Sequence, residues 1–240
     1  MRGEGSLPIG LTQSRDLTYS LRRHFVDDFH FRNVASLSDG GLVLDLGGNR
    51  IAKRGLFDIE RYDLCVIYAN LSTAKRPHVQ AEAEHLPFMA GKFDAVICSE
   101  LLEHVPEPAA VLSEIHRVLR QEGTLLLCVP FMSRIHGDPH DYGRYTDHYW
   151  LRTLQGLGFG EIFIEKQGRF WSVLADMLRE LATMSSKSSR FQSAWLGRLF
   201  SYAFGGGRRR AVEWDNRLAS KENHSLNGFT TGFGIRAKKE

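Results

Sequence analysis

Apolar residues recur along the chain in short unbroken runs, each followed by polar or helix-patterned material. Four of these runs read as strands: "LVLDL" (42–46), "DLCVIYA" (63–69), "FDAVICS" (93–99) and "TLLLCVP" (124–130). Ahead of them, "LTYSLRRHFVDDFHF" (17–31) sets Leu17, Leu21, Phe25 and Phe29 four apart, one face of a helix. Residues 1–14 are aperiodic and read as a loose arm. Between the third and fourth strands, "EPAAVLSEIHRVLRQEG" has Pro108 near its start and a stripe of Val111, Leu112, Ile115, Val118 and Leu119. Gly123 stands where a helix-ending glycine belongs. "YTDHYWLRTLQGLGF" (145–159) repeats the logic, with Thr146 as N-cap, Leu151 and Leu154 inward and Gly158 as terminator. "GEIFIEK" (160–166) and "FTTGFGIRAKK" (229–239) are two further strands.

Strands that alternate with helices and are apolar throughout belong to a parallel sheet covered on both faces. The expected fold is therefore α/β, a doubly wound Rossmann-like sheet, mostly parallel with an antiparallel last strand. Residues 168–204 form two apolar, aromatic-rich helical stretches around a Ser/Lys hinge, and "GGGRRR" (205–210) comes next. They read as a helical insertion before the last strand, either a lid or an amphipathic segment at a membrane surface through 168–210. No internal repeat is visible.

Composition changes this picture little. The 240 residues carry a net charge of +3, too weak a basic bias to argue for nucleic acid. Cys65, Cys98 and Cys128 all fall in apolar runs without metal-ligand spacing and read as small buried hydrophobes in a reducing compartment. Residues 1–20 lack the apolar core of a secretory signal, and no run reaches the ~20 apolar residues that span a bilayer. The expected location is cytoplasmic, with membrane association at the inner surface as an extension.

The candidate chemistry starts at "GLVLDLGGNR" (41–50). Ligands on parallel sheets bind beyond the carboxyl ends of the strands, where the strand order reverses, and the Asp45-Gly47-Gly48 loop closes such an end. A dinucleotide site asks for Gly-x-Gly-x-x-Gly opening a helix. Here Gly48 is followed by Asn49, Arg50 and Ile51, and "RIAKRGLFDIERY" is a poor helix. The pyrophosphate reading, and with it a nicotinamide oxidoreductase, is disfavoured.

From about Gly41 to Glu165 the chain resembles the class I S-adenosylmethionine-dependent methyltransferases, in particular the type 11 group. The resemblance is carried by Asp45-Leu46-Gly47-Gly48 and by "AEAEHLPFMAGKFDAVICSELLEHVPEPAAVLSEIHRVLRQEGTLLLCVP" (81–130). It implies one methyltransferase domain over 1–240, with 1–38 as N-terminal arm and helix and 167–227 as helical insertion or lid. It also implies S-adenosylmethionine as cofactor. Asp45, Gly47 and Gly48 would line its methionine end, and Asn49 stands at the second motif glycine, where asparagine tolerates a left-handed backbone. Asn70 takes the place of the usual ribose-binding acid. Glu82 and Ala83 would flank the adenine, and Ser99 with Glu100 would close the site after the fourth strand. Glu100, Glu103 and His104 also read as a solvated helix start.

"PFMSRIHGDPHDYGRYTD" (130–147) is the densest polar stretch in the chain. His136, Asp138, His140 and Asp141 are donors that zinc or iron accept. Cysteine is absent and Pro139 stiffens the spacing, so no metal is assigned. An Asp141–Arg144 pair would brace the loop. His136 or His140 is the expected proton acceptor, because histidine titrates near neutrality. The functional expectation is methyl transfer to an O or N atom of a small-molecule, glycan or lipid-linked acceptor. The alternative is a non-catalytic methyltransferase-like binding module.

Overall fold

The computed structural model describes residues 19–51, 53–137, 140–187, 194–220 and 225–240; for 182, 184–187 and 194–206 it describes the backbone. Leu17, the arm over 1–14, Asp138 and Pro139 lie outside the described residues. In chain order the elements are α1 (Leu21–Val34), β1 (Gly41–Leu46), β2 (Leu64–Asn70), β3 (Val79–Gln80), β4 (Phe93–Ser99), α2 (Pro108–Val118) and β5 (Leu119–Pro130). There follow α3 (Asp147–Gly156), β6 (Phe159–Gln167), α4 (Phe170–Lys187), α5 (Ala194–Ala219) and β7 (Gly232–Lys239).

The seven strands form one sheet in the order β3-β2-β1-β4-β5-β7-β6. β1 pairs in parallel with β2 and β4, β2 with β3, and β4 with β5. β7 runs antiparallel to β5, with Leu126 opposite Arg236. The order reverses between β1 and β4, so the carboxyl ends of those two strands flank the switch point. The expected Rossmann-like sheet with an antiparallel last strand is the observed one.

Two compact units divide the chain: residues 29–166 with 232–240, and residues 1–28 with 167–231. The sheet unit has its core where the sequence pattern put it. Val111, Leu112, Ile115 and Val118 of α2 are fully buried, as are Leu44, Val96, Leu125 and Leu127 from the central strands. In the helical unit, Leu21 packs with Ala211 and Val212 of α5, and with Phe25, Trp171 and Ala175 around them. Asp215 of α5 caps the start of α4. Its carboxylate accepts the N–H groups of Arg169, Trp171 and Ser172 at 2.7–3.0 Å, donors that a helix start otherwise leaves unpaired. Asp176 of α4 does the same for Leu21 and Arg22 of α1, at 2.8 Å each.

The structure departs from the sequence pattern in four places. The helix before β5 ends at Val118, and β5 begins at once with Leu119, so Gly123 lies inside the strand. There a Cβ would stand 2.7 Å from the Arg120 carbonyl, which is why glycine occupies it. Trp150, rather than Leu151, is the buried partner of Leu154 on α3. The run Gly205–Arg210 does not follow the second helical stretch but lies within α5. Cys65 is exposed, unlike Cys98 and Cys128, because its side chain falls on an open face of β2. Among the described residues between β1 and β2 the only helical turn is Ile59–Arg61, in line with the poor helix pattern there.

Candidate functional site

The carboxyl ends of β1, β2 and β4, with the residues after β3, bring most of the expected cofactor residues to one edge of the sheet unit. The loop after β1 turns at Gly47, whose φ of +81° lies in the left-handed region that glycine enters without cost. Asn49 does not take that conformation, so the expectation that it carries the left-handed turn is corrected: Gly47 carries it. Gly47 donates its N–H to the Ala69 carbonyl at 2.8 Å, which ties the turn to β2. A Cβ on Gly48 would meet the Asp45 carboxyl at 2.2–2.3 Å, so only glycine lets the acid lie flat on the loop. Burial pushes that carboxyl up to about 7, against the opposing charge of Lys53.

Asn70 closes the other side of the loop. Its Nδ2 donates to the carbonyls of Gly47 at 2.8 Å and Gly48 at 3.1 Å. Its Oδ1 accepts the Ser72 N–H at 2.9 Å, and its backbone carbonyl accepts the Ala81 N–H at 3.3 Å. That last bond sets Glu82 and Ala83 directly beyond Asn70. Glu82 is exposed and Ala83 buried.

At the end of β4, Ser99 leads into Glu100, which holds a φ of +54° that non-glycine residues rarely adopt. The Glu100 N–H donates to the Cys128 carbonyl at 2.9 Å, and the Leu101 side chain lies against Gly47. Ser99 Oγ is 2.8 Å from Nε2 of His30, a buried residue of α1. No sequence signal marked His30, because the helix pattern was read from its apolar face alone.

These residues fit the methionine, ribose and adenine parts of the cofactor that the resemblance implies. Two bare glycines allow close backbone approach, an acid lies beneath them, and polar groups end β2 and β4. The departure is Asn70, whose amide donors are directed at the loop itself.

The stretch after β5 forms a second polar group beside the first. The turn Leu102–His104 is not a solvated helix start, since Glu103 is buried. The Glu103 carbonyl accepts the Tyr142 N–H at 2.7 Å, and His104 Nδ1 donates to the His140 carbonyl at 2.6 Å. Asp141 is locked in place: Arg144 grips it with Nη1 and Nη2, the latter at 2.7 Å, and the His136 N–H donates to it at 2.9 Å. The guanidinium pulls the Asp141 carboxyl down to about 2. His136 packs edge-on to His104 at 5.1 Å between ring centres, whereas the side chain of His140 is exposed and meets Tyr142. Glu103, His104 and His136 bring one donor atom each within 4.8 Å of one another, while the positive charge of Arg144 also acts on Glu103. The donors gathered here are therefore not the set expected from sequence, since Asp141 belongs to Arg144.

Residues 51–127 match the sequence family described as "Methyltransferase domain", type 11. A ubiquinone biosynthesis O-methyltransferase of Pseudomonas paraeruginosa is 42% identical over 60 residues, 25% of this chain and 22% of that protein. The same enzyme of Psychrobacter cryohalolentis is 39% identical over 120 residues, 43% of this chain and 44% of that protein. The matched stretches thus span less than half of the curated relatives. A solved 1,6-didemethyltoxoflavin-N1-methyltransferase of Burkholderia thailandensis, which holds S-adenosylhomocysteine, superposes with a TM-score of 0.52 at 16% identity. That superposition covers 91% of this chain and 78% of the other, and at such identity it speaks for the fold alone.

Proposed function

We propose that this chain, of which residues 51–127 match the methyltransferase-domain family, is a class I methyltransferase of the type 11 group and transfers a methyl group from S-adenosylmethionine to an O or N atom of a small acceptor. The observation that carries this reading is the loop Gly47–Gly48, bare of side chains, laid over Asp45 and tied to β2 by Asn70 at the switch point of the sheet. When bound, the cofactor supplies a methyl group on a sulfonium, already activated for in-line attack, so the protein's work is mainly positioning.

In this reading Asp45, Gly47, Gly48 and Asn49 hold the methionine end, and Asn70 stands at the ribose. Glu82 and Ala83 border the adenine, and Ser99 and Glu100 complete the edge. His136 or His140, on the stretch after β5, is the residue that takes the acceptor's proton. His136 is the better placed, since its Nδ1 donates to the Arg134 carbonyl at 3.2 Å and leaves Nε2 as the basic nitrogen. A glycan or lipid-linked acceptor belongs to the same proposal, the lipid arm favoured by the relatives' role in ubiquinone biosynthesis.

Among the described residues no helix is long and apolar enough to cross a membrane. A peripheral contact is a second reading for the helical unit, favoured by the exposed row Leu174, Met177 and Leu181 on α4.

Calorimetry with S-adenosylmethionine, S-adenosylhomocysteine and NAD tests the proposal on the full chain. Binding of the first two without NAD supports it. A non-catalytic binding module would show no methyl transfer to any acceptor pool despite that binding, and NAD binding alone would make the chain an oxidoreductase.

A further inference from the structure

The N-terminal helix sends one polar side chain to the ligand edge of the sheet unit. His30 sits in the last turns of α1 and is 4% exposed. Its Nε2 is 2.8 Å from Ser99 Oγ. Its ring lies 5.1 Å from that of Phe57 and 5.7 Å from that of Phe29, centre to centre. Phe57, in the segment that follows the glycine loop, packs in turn on Phe31 of α1 and on Tyr62 of its own segment. The imidazole therefore bridges that segment and the end of β4.

Packing alone does not ask for this. A leucine or phenylalanine would fill an aromatic niche without taking an imidazole out of water. Nor is Ser99 an ordinary anchor. It begins the turn that contains Glu100 at φ +54°, a strained conformation that persists only where its surroundings hold it. The Cys128 carbonyl holds the turn from β5, His30 holds it from α1, and the next side chain, Leu101, rests on Gly47. One short turn thus links His30 to the glycine loop.

We propose that His30 is a positioning residue of the methyl-transfer site: it fixes the Ser99 hydroxyl and the Ser99–Leu101 turn in the shape the cofactor meets. The proposal rests on the methyl-transfer reading given above. The imidazole itself does not touch the cofactor. It works through Ser99, so removing either partner has the effect of removing both.

The test uses the full chain and S-adenosylhomocysteine as the probe. His30→Phe keeps the ring volume and loses the bond; Ser99→Ala loses it from the other side. Each is expected to weaken binding by about tenfold, the worth of one well-placed hydrogen bond, with the double variant no weaker than either single one. His30→Gln, which retains a group able to reach Ser99, is expected to stay within about threefold of wild type. The His30 Hε1 proton resonance, identified by its loss in His30→Gln, should move when the probe is added to wild type and stay still in Ser99→Ala. Wild-type affinity in His30→Phe, or tenfold losses that multiply in the double variant, would overturn the proposal while leaving methyl transfer intact. Should His30→Phe not fold, Ser99→Ala and the resonance decide by the same criteria. A wild-type chain that does not bind the probe sinks the methyl-transfer reading, and this inference with it.

Discussion

Asn70 reaches across from the end of β2 to the Gly47 carbonyl, 2.8 Å away, and so makes the second strand a brace for the glycine loop. The same Nδ2 also serves Gly48, and the opposite end of the amide accepts the Ser72 N–H. An aspartate in this place could accept but not donate. Asn70→Asp restores the acid usual in the resembled family, yet it would set a carboxylate against two carbonyl oxygens. It is therefore expected to weaken S-adenosylhomocysteine binding by about tenfold and to lower the melting temperature, since acceptors left unpaired cost up to about 1–3 kcal/mol and these are half-buried. Calorimetry and thermal melts of the two variants Asn70→Asp and Asn70→Ala decide it. Tighter binding by the aspartate would make Asn70 a ribose ligand only.

Asp45 gives a pH signature. Burial raises its carboxyl from the ordinary 3.8 to about 7 in the folded chain. The folded state therefore keeps a proton that the unfolded state gives up near pH 4, and this group's stabilisation is present in full below that point. It is lost as the pH climbs from about 4 through about 7, and is level above. Asp45→Asn removes the titration, so the difference in stability between wild type and this variant should slope with pH over that window. Denaturant unfolding at a series of pH values measures it, and two parallel curves would mean the carboxyl is ionised in the fold.

Arg144 and His136 should fail in different ways. The Asp141 side chain is 5% exposed and held on both oxygens by Arg144. Arg144→Ala leaves a buried carboxylate without its partner, which costs about 3 kcal/mol or more, so the loop and turnover should be lost together. His136→Ala removes a ring that packs on His104, donates to the Arg134 carbonyl and lies 3.4 Å from Asp141, which Arg144 still holds. It is expected to depress turnover and to change cofactor affinity by less than about 1 kcal/mol. Thermal melts, probe affinity and methyl-transfer rate, taken on both variants, separate the two roles. Equal loss of probe binding in both would move this stretch into the cofactor pocket.

The sheet was legible because its signals are local. Runs such as 93–99 and 124–130 are short, apolar and bounded by polar flanks, as buried strands are, and the stripe Val111, Leu112, Ile115, Val118 fixes the face of α2 by spacing alone. What sequence could not resolve depended on distant partners. Gly123 has the look of a helix stop, but the Arg120 carbonyl in its own strand is what excludes a side chain there. Gly205–Arg210 has poor helix propensity and still continues α5, where Ala211 and Val212 bury against Leu21. In the site, Asp45, Gly47 and Gly48 were readable as a motif. The role of Asn70 as a brace and the arrival of His30 beside Ser99 were not, because both depend on a contact between elements far apart in the chain.

The helical unit carries a surface whose chemistry suits an anionic bilayer. Leu174, Met177 and Leu181 lie three and four apart on α4 and are 36%, 52% and 59% exposed. Trp171, half-buried at the head of the same helix, meets Trp214 of α5 at 4.8 Å between ring centres, which joins the row to an exposed aromatic. Arg210 stands four residues before Trp214 and Arg217 three after it, both exposed on that side of α5. Arg209, by contrast, is paired with Glu213 at 2.9 Å. Aliphatic side chains and tryptophan at the acyl boundary, with arginines at the phosphates, are the pattern of an interfacial helix, and each arginine near such a surface is worth about 1 kcal/mol. The full chain is therefore expected to co-sediment with vesicles rich in phosphatidylglycerol, less so with pure phosphatidylcholine, and less at high salt. Leu181→Glu with Trp214→Glu should abolish that binding, and Arg210→Glu with Arg217→Glu should weaken it, while S-adenosylhomocysteine affinity stays unchanged in both. A wild-type chain that ignores anionic vesicles, or glutamate variants that sediment as well as wild type, would leave this row without a lipid role; a doubled mass by light scattering that the same variants undo would assign it to a second copy of the chain.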